Sequence, residues 1–495
     1  MTLPPWRERR AFPGRGFICR ERKWPFPEDW ANSLRTGGLK SASNRMMKAT
    51  TWLLRILFVW IVTGFSSLLA ETNWPQFRGP GARGISENGN LPEKWSATEN
   101  VEWKRDLPGR GWSSPVVWGN RVFLTTVINE GVSEDPKKGL YFGGERPKFP
   151  ETVHRWKVYC LDLKSGDVRW DREVHRGKPQ SAIHVKNSYA SETPVTDGKR
   201  VYCYFGNLGV FVFDMEGRPQ WSRKFTPHKT RYSWGTASSP ALHGSRLYIV
   251  NDNEVDSWLL ALDKETGAEV WKVARDEKSN WSAPFIWKNK LRTEIVVPGS
   301  GRTVSYDVEG KELWWWKRGM SSITIATPYA SEELLYISSG YVGDRRKPIY
   351  AIKPGASGDI SIKAFGKSDN EFVAWCNWKA APYNPSTLLY DGQLYSLLDR
   401  GWLRALDPGS GEYVYEQKRL PAGAGYTVSP WAYNGKVFCL NEDGETRVIK
   451  AGRDFKVLHT NRLAEDDMAM SCPAIAGDRL LIRTAARIYC IRKAL

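Results

Sequence analysis

Two short stretches carry enough side-chain oxygen to hold a hard cation. Residues 251–256 read NDNEVD and residues 441–445 read NEDGE, and carboxylate and amide oxygens at that density are what Ca²⁺ selects. Each stretch directly follows an apolar strand pattern, so each is read as a solvated loop between strands, not as a metal site. Softer chemistry has less support. The chain has seven Cys and six His, with no Cys-Cys pair, no C-x-x-C, no C-x-x-C-H for haem attachment and no zinc-like spacing. No Ser lies in a recognisable nucleophile context. No catalytic residue and no metal ligand is assigned.

The elements that must position any site show a repeat. A small residue and Pro, or Pro then Ser, precede a short apolar run, a polar turn and an apolar strand. Examples are SSPVVWGNRVFLTT, ETPVTDGKRVYCYF and SSPALHGSRLYIV, and the prolines are Pro115, Pro194, Pro240, Pro284, Pro328, Pro385, Pro430 and Pro473. Most intervals are close to 44 residues (284 − 240, 328 − 284), a period that predicts a β-propeller with several short strands per unit. Each unit resolves into strands A to D. A Gly-containing turn joins A to B, and an Asp-x-x-[Thr/Ser]-Gly turn joins C to D. There the Asp side chain caps backbone N–H groups and the Gly takes positive φ.

Strand D carries a Trp at Trp170, Trp221, Trp271 and Trp314, a large flat ring suited to the wedge between blades. Burying such a ring contributes about 2–3 kcal/mol. The eighth unit ends at Leu495 without its fourth strand, and NVEWKRDL (100–107), with Trp103, supplies it. The expected fold is an all-β, eight-bladed propeller with four antiparallel strands per blade, spanning 99–495 as one domain. The N-terminal strand closes the ring and removes an exposed edge.

The formal charge is +18, of which +8 falls before residue 71. The rest is dispersed without a basic stripe, so nucleic acid is not an expected partner. Residues 46–70, MMKATTWLLRILFVWIVTGFSSLLA, have the basic start, apolar core and small-residue end of a signal peptide cleaved near Ala70. That predicts a periplasmic or secreted protein with no stable membrane insertion after cleavage. Residues 1–45 then read as a mis-called extension, and 71–98 as a lead into the propeller. Cys160, Cys203, Cys439 and Cys490 occupy matching strand positions, which suits packed thiols more than bridges.

ALDKETGAEVW (261–271) resembles the docking motif of the quinoprotein-type repeat family, and CLDLKSGDVRW (160–170) and ALDPGSGEYVY (405–415) follow it with Cys160 and Tyr415 as departures. The unit at AIKPGASGDI lacks the Asp and a clear Trp. WPQFRGPGARGIS (74–86) resembles the opening of secreted propeller proteins of planctomycete-type bacteria. The resemblance implies two functional poles. One is the pyrroloquinoline quinone (PQQ)-dependent alcohol and sugar dehydrogenases, which need calcium, an Asp base, a stacking Trp and, in many, adjacent cysteines. The other is the non-catalytic scaffold of the outer-membrane β-barrel assembly machinery, usually a lipoprotein, whereas the residue after the expected cleavage here is Glu71.

A–B and C–D turns share one face of a propeller, and B–C and D–A connections share the other. The long insertions 128–155, 175–190 and 341–348 fall on the second face. The segments entering each A strand lie there too, so the candidate binding face comprises Trp112, His184, Asn187, Tyr189, Trp234, Trp281, Trp378 and Tyr426. Aromatic rings with sparse polar groups suit carbohydrate, peptide or quinone. The sequence is read as a monomeric, exported, non-catalytic binding or scaffolding module without cofactor, with envelope proteins or polysaccharide as partners. A PQQ- and calcium-dependent oxidoreductase is the alternative.

Overall fold

A computed structural model describes residues 73–132, 135–141, 149–363 and 370–494. The expected extension, signal peptide and cleavage site lie outside the described residues. The described residues belong to one compact unit, and among them no helix is long and apolar enough to cross a membrane.

Eight antiparallel sheets of four strands follow one another around a ring. Blade 1 spans Val116–Trp118, Arg121–Asn129, His154–Asp162 and Val168–Gly177. Blades 2 to 7 begin at Val195, Ala241, Phe285, Tyr329, Leu388 and Trp431. Blade 8 holds Ala474–Ala476, Arg479–Arg483 and Arg487–Arg492, and its outer strand is Val101–Asp106 from the start of the described chain. The ring closes as its sequence requires.

The Gly–Trp repeat joins neighbouring blades. The Trp103 indole lies over Gly166 and donates from Nε1 to the Leu163 carbonyl at 2.9 Å. Trp170 repeats this on Met215 and Gly217, Trp221 on Lys264 and Gly267, and Trp271 on Val308 and Gly310. At Gly267, φ is +74° and a Cβ would lie 2.5 Å from the Trp221 ring, so both backbone and contact demand glycine. Asp263 holds the same turn by accepting from Glu265 N (3.1 Å) and Thr266 N (2.9 Å).

Blades 4 and 5 depart from the expected pattern. Trp314 does not reach the next blade. Its Nε1 donates to Glu294 of its own blade at 2.7 Å, and its ring stacks on Trp316. The place it would occupy is taken by Leu291, whose Cδ1 lies against Gly355. Blade 5, expected without a clear docking Trp, has one in Trp375, carried on Val373–Asn377 after a long insertion. It donates to Pro408 O at 2.9 Å and covers Gly411. Part of that insertion, Gly358–Asp359, adds a fifth, parallel strand to blade 4.

The small residue beside each strand-A proline forms a belt around the channel. Ser114 N donates to Thr193 Oγ1, Thr193 N to Ser239 Oγ, Thr327 N to Ser386 Oγ and Ser386 N to Ser429 Oγ, all at 2.9–3.0 Å. Ser238 Oγ to Ser282 O and Ser282 Oγ to Ala326 O span blades 3 to 5. Ser471 Oγ donates to Trp112 O at 2.9 Å. Seven of the eight joints between blades are therefore crossed by a hydrogen bond at the channel wall. Buried Arg483 reinforces the last joint by donating to Ser113 O and Thr125 O, each at 2.9 Å.

Candidate functional site

The lead segment crosses one end of the channel. Trp74 pairs with Val117 of blade 1, Pro75 O accepts from Thr196 N of blade 2, and Ile85 bridges Ala432 of blade 7. Between them Arg78 is fully buried and donates from Nη2 to Thr387 O of blade 6 at 3.0 Å. Burial holds its pKa below the usual guanidinium value. The chain then packs Leu91 and Trp95 on blade 7, with the Trp95 ring stacked on Phe438, before entering blade 8.

At the other end a cavity of about 260 Å³ occupies the channel mouth. Phe77 of the lead segment lines its inner end, and the belt residues line its wall. Five of the eight candidate residues, Trp112, His184, Asn187, Trp234 and Trp281, surround this cup. His184 lies edge-on to Trp234 at 5.4 Å between ring centroids, and Trp234 lies 6.1 Å from Trp281. Trp112 and Trp281 are more than nine-tenths buried, with Nε1 donating to Lys186 O and Gly235 O, each at 2.8 Å. Trp234 is only half-buried. It follows Tyr232 and Ser233, two consecutive non-glycine residues at φ +54° and +57°, a combination that L-residues adopt at a cost and that clusters at binding sites.

Tyr189, Trp378 and Tyr426 do not line the cup. Tyr189 packs edge-on to His154 and donates to Ser181 O at 2.5 Å. Trp378 meets Tyr350 within blade 5 at 5.8 Å. Tyr426 is 2% exposed against Gly401.

Other residues at the mouth escaped the sequence reading. The insertion of blade 1 carries Gly139, Leu140 and Tyr141 over it, with Tyr141 5.5 Å from His184. Glu442 ties this strap down. It accepts from Gly139 N (2.7 Å), Lys186 Nζ (2.6 Å) and Thr427 Oγ1 (2.5 Å), and Lys186 also donates to Gly139 O at 2.7 Å. Glu442 is fully buried, so NEDGE is not a solvated loop. NDNEVD is solvated only in its second half, where Val255 and Asp256 are exposed. Asn251, Asp252 and Asn253 are buried, and Asp252 receives Arg275 through Nε at 2.8 Å and Nη2 at 3.1 Å. The signal that could have found both was their place after a B strand on the insertion face.

Two buried carboxyls lie next to the wall. Burial pushes Glu192, which accepts from Gly206 N at 3.1 Å, up to about 7. Asp399 accepts from Tyr383 N, Asn384 N and Asn384 Nδ2, yet burial still raises it to about 6. The six described cysteines are free thiols, five of them buried. Among the described residues, no group of three or more His, Cys, Asp and Glu is placed to hold a metal ion.

Residues 144–273 match the sequence family described as outer membrane protein assembly factor BamB. A protein of that name from Alkalilimnicola ehrlichii is 26% identical over 211 residues, covering 41% of this chain and 45% of the relative. The match thus spans less than half of that relative. The quinohemoprotein alcohol dehydrogenase of Comamonas testosteroni superposes with a TM-score of 0.51 at 12% identity, over 86% of this chain and 81% of that one. The quinohemoprotein alcohol dehydrogenase ADHIIG of Pseudomonas putida HK5 gives 0.50 at 14%, over 85% and 80%. At such identities these two likenesses speak for the fold alone. Together with the eight blades and the inter-blade Gly–Trp contacts, they show that the chain is a β-propeller of PQQ-like repeats.

Proposed function

We propose that this protein is an exported propeller of the cell envelope that binds or scaffolds and does no chemistry of its own. The observation that carries the reading is the commitment of the charged and amide groups at the cup to architecture. Lys186 is held by Glu442 and Asn187 by Trp234 O. The likeness to an outer membrane protein assembly factor supports an envelope role with protein or polysaccharide partners, and residues 46–70 supply the route of export.

The donor set does not fit PQQ and calcium. PQQ is a tricarboxylate, and the cup offers one cationic side chain, Lys186, already paired with Glu442 at 2.6 Å. The oxygen-rich turn that could serve a cation has its buried carboxylate engaged by Arg275. Bringing further negative charge beside Glu442 without a compensating cation costs desolvation that nothing there repays.

The test is equilibrium binding of PQQ to the purified protein with and without Ca²⁺, followed by fluorescence quenching. The expected result is no saturable binding. Stoichiometric, calcium-dependent binding would overturn the reading, and a dye-reduction screen over alcohols and sugars would then follow.

A further inference from the structure

We infer that the cup binds the end of an uncharged glycan chain, which gives a ligand class to the binding role proposed above and rests on it. Three properties of the cup point to this class.

The first is charge. Lys186 is the one Lys, Arg, Asp or Glu among the described residues lining the cup, and Glu442 neutralises it. An ionised ligand would leave water for a site that offers no free counter-charge.

The second is hydrogen bonding. Six of the eight belt positions carry hydroxyls: Ser114, Thr193, Ser239, Thr327, Ser386 and Ser429. Thr193, Ser239 and Ser386 spend a lone pair on a neighbouring blade's amide, which leaves each O–H proton for a ligand. Ser114 Oγ is buried and has no hydrogen-bond partner. A hydrocarbon ligand would leave these donors unsatisfied, whereas hydroxyl and ether oxygens satisfy them. The two positions without a hydroxyl, Ala283 and Cys472, belong to blades 4 and 8, opposite each other. Two arcs of hydroxyls therefore flank a less polar diameter, as suits a flat ring with oxygens along both edges.

The third is shape. Trp234 and Tyr232 stand at the mouth on a strained turn, with Trp281, His184 and Tyr141 around them. These are stacking faces for the C–H side of a sugar ring. The lead segment crosses the inner end at Phe77, so a chain entering from the mouth meets it there. At about 260 Å³ the cavity suits a small ligand or the tip of a larger one.

The experiment is a printed array of uncharged and acidic oligosaccharides probed with the purified protein. Hits are then titrated in solution as a trimer and as longer chains of the same sugar. The inference expects uncharged hits whose affinity per chain end does not change with chain length. Trp234→Ala should weaken binding at least about 10-fold through lost stacking. Ser114→Ala, which breaks no bond within the fold, should weaken it about 2- to 10-fold with an unchanged melting temperature. Binding confined to acidic glycans, affinity that rises with internal chain units, binding that survives Trp234→Ala, or no hit at all would each overturn the inference. The broader binding reading fails separately, through calcium-dependent PQQ binding, so the two failures are distinguishable.

Discussion

Two glycines of blade 3 separate backbone strain from inter-blade contact. Gly244 turns strand A into B at φ +59°, and a Cβ there would meet nothing within 4 Å. Gly267 turns C into D at φ +74°, and a Cβ there would lie 2.5 Å from Trp221 Cε3 and 2.7 Å from Cδ2. Either glycine changed to alanine pays for the left-handed backbone, about 1–2 kcal/mol. Only Gly267→Ala must also displace an indole whose Nε1 is anchored to Lys264 O at 3.0 Å, and overpacking of this kind costs a further ~1–3 kcal/mol. The expected losses are about 1–2 kcal/mol for Gly244→Ala and about 2–5 kcal/mol for Gly267→Ala.

Urea unfolding followed by far-UV circular dichroism, so that removing a Trp does not alter the probe, measures both. The decisive variant is the double mutant. With Trp221→Leu in place, Gly267→Ala should fall back to the cost of Gly244→Ala, which gives a coupling of about 1–3 kcal/mol between residues of different blades. Equal losses for the two glycines, or zero coupling, would refute the argument that the repeat keeps Gly because the preceding blade's Trp sits on it.

Three other expectations concern the seam, the buried acids and the oxygen-rich turn. Trp103→Ala removes the ring that holds the N-terminal strand onto blade 1 and should cost about 2–3 kcal/mol, below a fully buried Trp because Trp103 is partly exposed; thermal unfolding reads it. Burial raises the Glu192 carboxyl from 4.5 to about 7, so the folded state holds that proton more tightly than the unfolded chain. Its contribution is therefore most favourable below about 4.5 and declines as pH rises to about 7. Glu192→Gln should flatten that part of a stability–pH profile and leave the part due to Asp399, which ends near 6. Asp252→Ala should cost about 3–5 kcal/mol by stranding buried Arg275, while added Ca²⁺ should leave the melting temperature of the unaltered protein unchanged.

Strand order and ring closure were legible because their causes are local. A Gly at positive φ, an Asp capping its own turn and a period near 44 residues need no knowledge of distant contacts. Legibility ended where one blade depends on the next. Trp314 satisfies the motif, but docking needs a receptive turn in blade 5, and there the Asp is missing and Leu291 fills the space beside Gly355. The ring then turns to Glu294 of its own blade. Trp375 was hidden by an insertion that separates strands C and D of blade 5. At the channel mouth, five of the eight residues named from the sequence line the cup. The sequence did not divide His184 and Asn187, which line the cup, from Tyr189, which packs behind it. All three lie in one short segment, and the division is set by His154 and Trp156 of blade 1.

The belt explains why the motif beside each proline gave no functional signal. A hydroxyl there has a lone pair for the neighbouring blade and a proton for the channel, so one side chain serves architecture and, in the proposed reading, a ligand. The joints do not all need that hydroxyl. At Ala283, Ser282 carries the connection from one residue away, and beside Cys472 the Ser471–Trp112 bond carries it. Joint strength and the chemistry of the wall are therefore separable. A propeller of this kind can exchange hydroxyl, methyl and thiol at the belt, and so change what its channel accepts, while the Gly–Trp contacts keep the blades in place.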